Sequence, residues 1–198
     1  MRAVVLGAGS WGTAFAWLLH DRGHAVVLAC RDPEQARAIG ETGHNPRYST
    51  TADLRGIAAT PVDEAPYADA DVVVVSVPSR VFHDVVEASP GEAPILSLTK
   101  GLDPTTGARL SEAVHGRGYA LLSGPTMAEE VVAGLPTAGV IASEDAALGL
   151  ELQHAINSPT FRLYLNDDLI GVELCAAASA ITFFAAAHSS TPSRSSLR

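Results

Sequence analysis

The sequence predicts an α/β protein with a doubly wound, mainly parallel β-sheet. Short apolar runs alternate with helical patterns along the chain. The runs at residues 3–6, 25–29, 72–77 and 94–99 are almost continuously hydrophobic, as expected of strands buried on both faces. A glycine-rich turn follows the first run directly. Because strand and helix alternate, right-handed crossovers should give a largely parallel sheet covered by helices on both sides.

Weaker runs complete the predicted order of elements. Further strands are predicted at residues 57–60, 120–123, 137–142 and 161–165. Helices are predicted at residues 11–22, 33–39, 81–88, 107–114, 127–133 and 146–156. Residues 41–51, ETGHNPRYSTT, have loop composition, which predicts a surface arm that carries Arg47 and Tyr48.

Composition limits the classes of function. The chain has 198 residues, of which 47% are hydrophobic and 18% charged, so one full globular domain is expected. A net charge of -9 argues against a general nucleic-acid or anionic-membrane binder, but it does not exclude a small anionic substrate. The start MRAVVLGAG is typical of a first strand rather than a signal peptide. The longest apolar stretch, residues 171–187, contains Glu173, so no membrane span is expected. A cytoplasmic protein is therefore predicted.

Cysteine and lysine are rare in this chain. Cys30 and Cys175 lie in apolar runs, which predicts small core residues rather than a disulfide or a metal pair. No metal site is expected. Of the 13 basic residues only Lys100 is a lysine. In a chain that otherwise uses arginine, this favours a chemical role for Lys100 over a plain surface position.

The turn GAGSWG, residues 7–12, has the spacing of a dinucleotide-binding loop. Gly7 permits the tight turn, Gly9 lets the backbone approach a pyrophosphate, and Gly12 lets the following helix pack closely on the strand. The amino terminus of that helix offers N–H groups and a partial positive charge to phosphates. Residues 1–177 are therefore predicted to form a Rossmann-type nucleotide-binding domain.

The end of the second strand bears on the choice of cofactor. An NAD-specific site places an acidic residue against the ribose 2′-hydroxyl here. This chain has Arg31 first, and a guanidinium group suits a 2′-phosphate. Asp32 follows directly, so NAD is not excluded. NADP is favoured over NAD.

A series of motifs carries a family resemblance. GAGSWGTAFA, NPRY, VPS, TKGL, SGPTMAEEVVAGLPTAGVIAS, FRLY and GVELC occur in this order. Together they resemble bacterial NAD(P)-dependent sn-glycerol-3-phosphate dehydrogenase from residue 1 to about residue 178. The resemblance implies interconversion of dihydroxyacetone phosphate and sn-glycerol 3-phosphate, a step toward glycerophospholipid precursors. A superfamily relative that acts on 2-hydroxy acids is the alternative, but the SGPT…GLPTA pattern disfavours it.

The resemblance also implies roles for particular residues. Lys100 is similar to a family lysine that touches both cofactor and substrate, while Gly124 and Thr126 match substrate-side positions. The matching cofactor contacts are Ser10, Trp11, Arg31, Tyr48 and Ala128. Structural roles remain open for some of them. Thr126 could cap a helix that starts at residue 127, and Ser10 and Trp11 could serve helix initiation and core packing. For Glu129 and Glu130, a role in the first helical turn is preferred.

The resemblance ends just before the family's proton donor. In the family, GVELC leads through K-N-V-I-A, whose lysine is the general acid–base, and a second, helical domain completes the substrate site. Aligned without gaps, Ser179 stands at the lysine position of this chain and Ala180 at the asparagine, and we expect the helical substrate domain to be absent. No intact catalytic residue and no turnover are therefore expected, because losing such a group typically removes ~10²–10⁴ in rate. A non-catalytic NADP-binding domain and an unstable fragment are the alternatives.

Residues 178–198 are predicted to be an apolar helical extension followed by a non-native tail. Ile181, Phe183 and Phe184 would leave an uncovered apolar face, which favours self-association into a homo-oligomer. If the codons of residues 165–178 are read on the opposite DNA strand, in a frame offset by one base, they can encode residues 198–185 in reverse order. The one exception is Ile170, which does not match Ser193. Residues 184–180 decode in the same way as K-N-V-I-A. We therefore hypothesise an antisense copy from about Ala178. Ordinary DNA without an inverted repeat across codons 165–198 would refute it.

Overall fold

All predicted strands, and all but one of the predicted helices, follow the order predicted from the sequence. The computed structural model describes residues 1–48 and 51–189, with residues 180–189 described by backbone alone. Its strands are β1 (Arg2–Leu6), β2 (Ala25–Cys30), β3 (Ala58–Pro61), β4 (Val72–Val75), β5 (Ile95–Ser97), β6 (Tyr119–Ser123), β7 (Thr137–Ala142) and β8 (Phe161–Asn166). Its α-helices are α1 (Ser10–Asp21), α2 (Pro33–Thr42), α3 (Phe82–Glu87), α4 (Ala128–Val132), α5 (Ala146–Ile156) and α6 (Leu169–Ser189).

The described strands form one sheet in the order β3-β2-β1-β4-β5-β6-β7-β8. Strands β1 to β6 are parallel, β7 is antiparallel to β6, and β8 is parallel to β7. The strand order reverses direction between β1 and β4, which is the switch point of a doubly wound sheet. The predicted Rossmann-type, mainly parallel fold is confirmed.

The sheet is buried on both faces. All four valines of β4 are buried, and alternate residues of a strand point to opposite faces. Val74 belongs to the apolar cluster that contains Phe15 of α1, whereas Val73 and Val75 belong to the cluster that contains Phe82 of α3. Burying a phenylalanine side chain of this size contributes about 1.5–3 kcal/mol. This two-sided core holds the strand ends, and the loops after them, in fixed relative positions.

The predicted helix at residues 107–114 is wrong. Only a short 3-10 helix, Leu110–Ala113, forms there. The carboxylate of Asp103 accepts hydrogen bonds from the N–H groups of Thr105 and Thr106, which closes a turn before the segment. The N–H of Ser111 donates to the carboxylate of Glu173 at 2.9 Å, so it takes no part in a regular helix.

Two further expectations need correction. Helix α2 continues to Thr42, so the start of the predicted loop at residue 41 is helical. Cys30 is buried as predicted, and burial raises the pKa of its thiol to about 11. Cys175, by contrast, is exposed on α6, because it lies on the side of that helix that faces away from the sheet. The expectation that it is a core residue is wrong.

The long carboxyl-terminal helix α6 covers part of the sheet. Its backbone is helical from Leu169 to Ser189, and Ala176 packs with Leu121 of β6 and Ala142 of β7. The side chains expected to form an apolar extension, Ile181, Phe183 and Phe184, and the tail from residue 190 onward lie outside the described residues. Within the described part of the chain, no helix is long and apolar enough to cross a membrane.

Candidate functional site

The predicted site residues gather at one edge of the sheet. Strands β1, β2, β5 and β6 are parallel, so the loops that follow them leave the sheet at the same edge, which we call the carboxyl edge. These loops carry the glycine-rich turn, Arg31, Lys100 and Gly124, respectively. Ligands of open parallel sheets bind at such an edge, next to the switch point.

The glycine-rich loop, residues 7–12, has the geometry that its spacing predicts. Gly7 has a φ of +110°, and a Cβ there would lie 2.3 Å from the carbonyl oxygen of Ser76. A Cβ on Gly12 would lie 1.9 Å from the carbonyl oxygen of Gly7, so helix α1 packs against the turn without a side chain between them. A Cβ on Gly9 would meet nothing within 4 Å. The loop is therefore tight on its inner side and open at Gly9.

Helix α1 begins at this loop. Its N-cap residue is Gly9, which has no side chain to satisfy the first N–H groups of the helix. The hydroxyl of Ser10 donates to the Glu129 carboxylate at 3.3 Å. Trp11 is half-buried, with its ring centroid 5.9 Å from that of Phe15 and 6.4 Å from that of Phe161. Ser10 begins α1 and Trp11 packs against the core, which are the structural roles expected as alternatives, and both residues lie in the glycine-rich loop directly after Gly9.

Arg31 and Asp32 follow β2 directly. Arg31 is exposed, whereas Asp32 is the N-cap of α2 and accepts a hydrogen bond from the N–H of Glu34 at 3.0 Å. Asp32 also pairs with the guanidinium of Arg47 at 2.5 Å. The N–H of Glu34, followed by Arg47, lowers the pKa of the Asp32 carboxyl. The acidic group is thus occupied by protein partners, and Arg47 adds a second guanidinium next to the position of Arg31.

The arm that carries Arg47 is anchored by a residue that the sequence reasoning missed. Asn45 is fully buried and donates to the carbonyl oxygen of Ala8, within the glycine-rich loop, at 3.1 Å. Its own side-chain oxygen accepts from the N–H groups of Arg47 at 3.0 Å and Tyr48 at 3.3 Å. Tyr48 itself is 46% exposed. An asparagine that precedes proline in NPRY was the available signal for such a local anchor.

Lys100 lies in the loop after β5. Its Nζ donates to the carbonyl oxygen of Gly124 at 2.8 Å, and desolvation lowers the pKa of this half-buried ammonium group. The neighbouring Thr99 donates its hydroxyl to the carbonyl oxygen of Val77 at 2.9 Å, which ties the loop to the end of β4. The only lysine of the chain is therefore held at the carboxyl edge.

The segment after β6 carries the remaining predicted contacts. Ala128 is buried at the start of α4, and Thr126 is partly exposed. The N-cap of α4 is Met127, which makes no side-chain capping bond, so the alternative that Thr126 caps this helix is wrong. Glu129 and Glu130 stand in the first turn of α4, as expected.

Ser179 lies on the far half of α6. Because β8 runs antiparallel to β6, α6 starts at the opposite edge of the sheet and runs back along β6 toward the carboxyl edge. Glu173, which is 2% exposed, anchors this helix through the N–H and hydroxyl of Ser111. The Ser179 hydroxyl is exposed and donates to the carbonyl oxygen of Cys175 at 2.8 Å.

The arrangement suits a phosphate-bearing dinucleotide. The open backbone at Gly9 and the uncapped start of α1 form an anion-binding surface, and the ammonium group of Lys100 lies at the same edge. Among the described residues, no group of three His, Cys, Asp or Glu side chains is placed to hold a metal ion.

Comparison with known proteins gives consistent matches. Residues 2–149 match the model of the NAD-dependent glycerol-3-phosphate dehydrogenase N-terminus. The chain is 40% identical over 188 residues to glycerol-3-phosphate dehydrogenase [NAD(P)+] of Nocardia farcinica, which covers 87% of this chain and 56% of that protein. It is 42% identical over 177 residues to the enzyme of the same name from Moorella thermoacetica, covering 85% and 53%, respectively. The chain thus spans about half the length of these curated relatives.

A solved structure agrees with these matches. The crystal structure of glycerol-3-phosphate dehydrogenase from Coxiella burnetii superimposes with a TM-score of 0.79 at 33% sequence identity. The match covers 88% of this chain and 56% of that one.

Proposed function

Because this chain belongs to the NAD-dependent glycerol-3-phosphate dehydrogenase family, we propose that its carboxyl edge binds NADP(H) or NAD(H), with a preference for NADP(H). The glycine-rich loop supports the site for the pyrophosphate, since Gly9 is open and the first turn of α1 offers N–H groups. The preference rests on Arg31 and Arg47, two guanidinium groups suited to a 2′-phosphate, and on the engagement of Asp32 by Arg47 and Glu34. The proposed cofactor contacts are Gly7, Gly9, Ser10, Trp11, Gly12, Arg31, Tyr48, Lys100 and Ala128.

We further propose dihydroxyacetone phosphate and sn-glycerol 3-phosphate as the substrate pair. The bound nicotinamide supplies or accepts the hydride. Lys100 holds a positive charge where the substrate phosphate and carbonyl oxygen meet the cofactor, and it stabilises the negative charge that develops on that oxygen. Gly124 and Thr126 line the substrate side. The fixed contact between Lys100 and the Gly124 carbonyl supports this placement, because it keeps the ammonium group at the edge before any ligand binds.

We infer that this chain binds cofactor but does not complete the reaction. Ser179 stands at the position of the family's proton-donating lysine, and its hydroxyl already donates to the carbonyl oxygen of Cys175. A hydroxyl carries no positive charge and is a poor proton donor to the substrate oxygen at neutral pH. Losing a general acid of this kind typically lowers the rate ~10²–10⁴-fold.

The proposal rests on the geometry of the glycine-rich loop. A Cβ would clash with the backbone at Gly7 and Gly12, whereas a Cβ on Gly9 would meet nothing within 4 Å. The test is a titration with NADPH and NADH that follows tryptophan fluorescence, with Trp17→Phe as the reporter form so that Trp11 alone contributes. A parallel assay follows oxidation of NADPH with dihydroxyacetone phosphate. Saturable quenching without turnover is the expected result. Folded protein that binds neither dinucleotide would overturn the cofactor site, and measurable turnover would overturn the role given to Ser179.

A further inference from the structure

Asn45 joins two parts of the carboxyl edge that are distant in sequence. It lies in the loop between α2 and β3, where side chains are usually exposed, yet it is fully buried. A buried amide is costly unless its donors and acceptor are all satisfied. Both donor positions and the acceptor oxygen of Asn45 have protein partners within 3.3 Å. Hydrogen bonding, rather than apolar packing, therefore requires an asparagine at this position.

The donor side of Asn45 faces the glycine-rich loop. Its Nδ2 donates to the carbonyl oxygen of Ala8 at 3.1 Å and to the hydroxyl of Thr13 at 2.7 Å. Gln35, also buried, donates to the same carbonyl oxygen of Ala8 at 3.0 Å. Because the C=O and N–H groups of a trans peptide point in opposite directions, these two donors turn the Gly9 N–H away from the interior. Asn45 and Gln35 thereby orient a backbone donor of the loop.

The acceptor side of Asn45 holds the arm. Its Oδ1 accepts from the N–H groups of Arg47 and Tyr48, and from Nε2 of Gln35 at 3.0 Å. The Arg47 side chain in turn reaches Asp32 at the end of β2. One side-chain amide thus fixes the backbone of the arm relative to the loop.

We propose that Asn45 is a positioning residue for the dinucleotide, which couples the pyrophosphate loop to the arm that carries Arg47. This inference rests on the proposed cofactor site and adds a residue that does not itself touch the cofactor. Removing the amide frees the Ala8 peptide from one of its two donors and releases the arm. The affinity for both dinucleotides should fall, and the affinity for NADPH should fall further, because the arm brings the second guanidinium.

The test compares Asn45→Ala with Asn157→Ala. Asn157 is a matched control, because its side-chain oxygen accepts the N–H of Leu163 at 2.7 Å in the turn between α5 and β8, and this partner belongs neither to the glycine-rich loop nor to the arm. The Kd values for NADH and NADPH are measured by fluorescence titration, and stability is measured by urea unfolding. We expect N45A to raise the Kd for NADH about tenfold, and that for NADPH by more, while N157A lowers stability without changing either Kd.

Three outcomes decide the inference. N45A that loses stability like N157A but keeps both Kd values would reduce Asn45 to a structural residue and overturn the proposal. If N45A does not fold, Gln35→Met decides, since it removes the other donor to Ala8 at similar volume: weaker NADH and NADPH binding supports the proposal, and unchanged binding overturns it. A wild-type chain that binds neither dinucleotide would overturn the cofactor site itself, and the inference with it.

Discussion

The Nζ of Lys100 donates a hydrogen bond to the carbonyl oxygen of Gly124 over 2.8 Å. This contact joins the loop after β5 to the loop after β6, so the single lysine of the chain and the segment SGPT are held together at the carboxyl edge. The ammonium group is half-buried, and desolvation lowers its pKa. Partial burial of this cation lowers the stability of the ligand-free protein, and an anion that binds next to the cation offsets that cost.

Replacing Lys100 by Met should therefore weaken ligand binding more than it weakens the fold. Methionine keeps an aliphatic stem in the half-buried position but removes the charge. A hydrogen bond to a charged group contributes about 1.5–3 kcal/mol, so the Kd for dihydroxyacetone phosphate, measured by calorimetry on the NADPH-saturated chain, should rise roughly 10- to 100-fold. Arg162→Met, on the exposed side of β8, is the control and should leave that Kd unchanged. An unchanged Kd in K100M would remove Lys100 from the substrate site.

Alanine substitution should affect stability at one glycine of the loop and NADPH binding at another. Gly12→Ala places a methyl group 1.9 Å from the carbonyl oxygen of Gly7, so α1 must move and stability should fall by about 1–3 kcal/mol. Gly9→Ala places it in open space, so the fold should keep its stability while NADPH binding is lost. Urea unfolding and fluorescence titration separate the two effects. A G9A variant that binds NADPH like the wild type would show that the pyrophosphate does not lie against Gly9.

The sheet and the loop could be predicted from the sequence, but the anchors of the site could not. Strands buried on both faces give continuous apolar runs, and the spacing of the loop glycines follows from the turn itself. The burial of Asn45 depends on a hydrogen bond to Ala8, 37 residues away. A contact between residues so far apart in the chain produces no periodic pattern in the sequence. The failed helix at residues 107–114 has a similar cause, since Glu173, 62 residues after Ser111, takes a backbone N–H from the segment. Cys175 lies in an apolar run, and only the orientation of α6 decides which of its sides is exposed.

Asp32→Asn should increase the preference for NADPH. Asparagine still accepts the N–H of Glu34 at the start of α2, but the charge that engages Arg47 is removed. The Arg47 guanidinium is then free to pair with a 2′-phosphate, and the Asp32 carboxylate no longer repels that phosphate. Since the Arg47 and Asp32 side chains are both partly exposed to solvent, the Kd for NADPH should fall by only about threefold to tenfold, with the Kd for NADH unchanged.

The control for this change is Asp53→Asn, which removes the carboxylate of another exposed arginine pair, Asp53–Arg55. It should alter neither Kd. If D32N instead weakens NADH binding and leaves NADPH unchanged, Asp32 contacts the ribose, and the chain prefers NAD.

Stability in acid should depend on Asp71, directly before β4. Its carboxylate accepts from the N–H of Arg2 at 2.7 Å and from the Arg2 guanidinium at 3.1 Å, and the backbone contact is the larger cause that lowers the Asp71 pKa. Since the folded-state pKa lies below the unfolded one, the unfolded chain takes up the proton first as the pH falls. The stabilisation is therefore complete above about pH 4 and is lost as the pH falls through the folded-state pKa. In urea unfolding from pH 6 to pH 2, the free energy of unfolding should fall less steeply below pH 4 in Asp71→Asn than in the wild type. Equal slopes in D71N and the wild type would contradict the assignment.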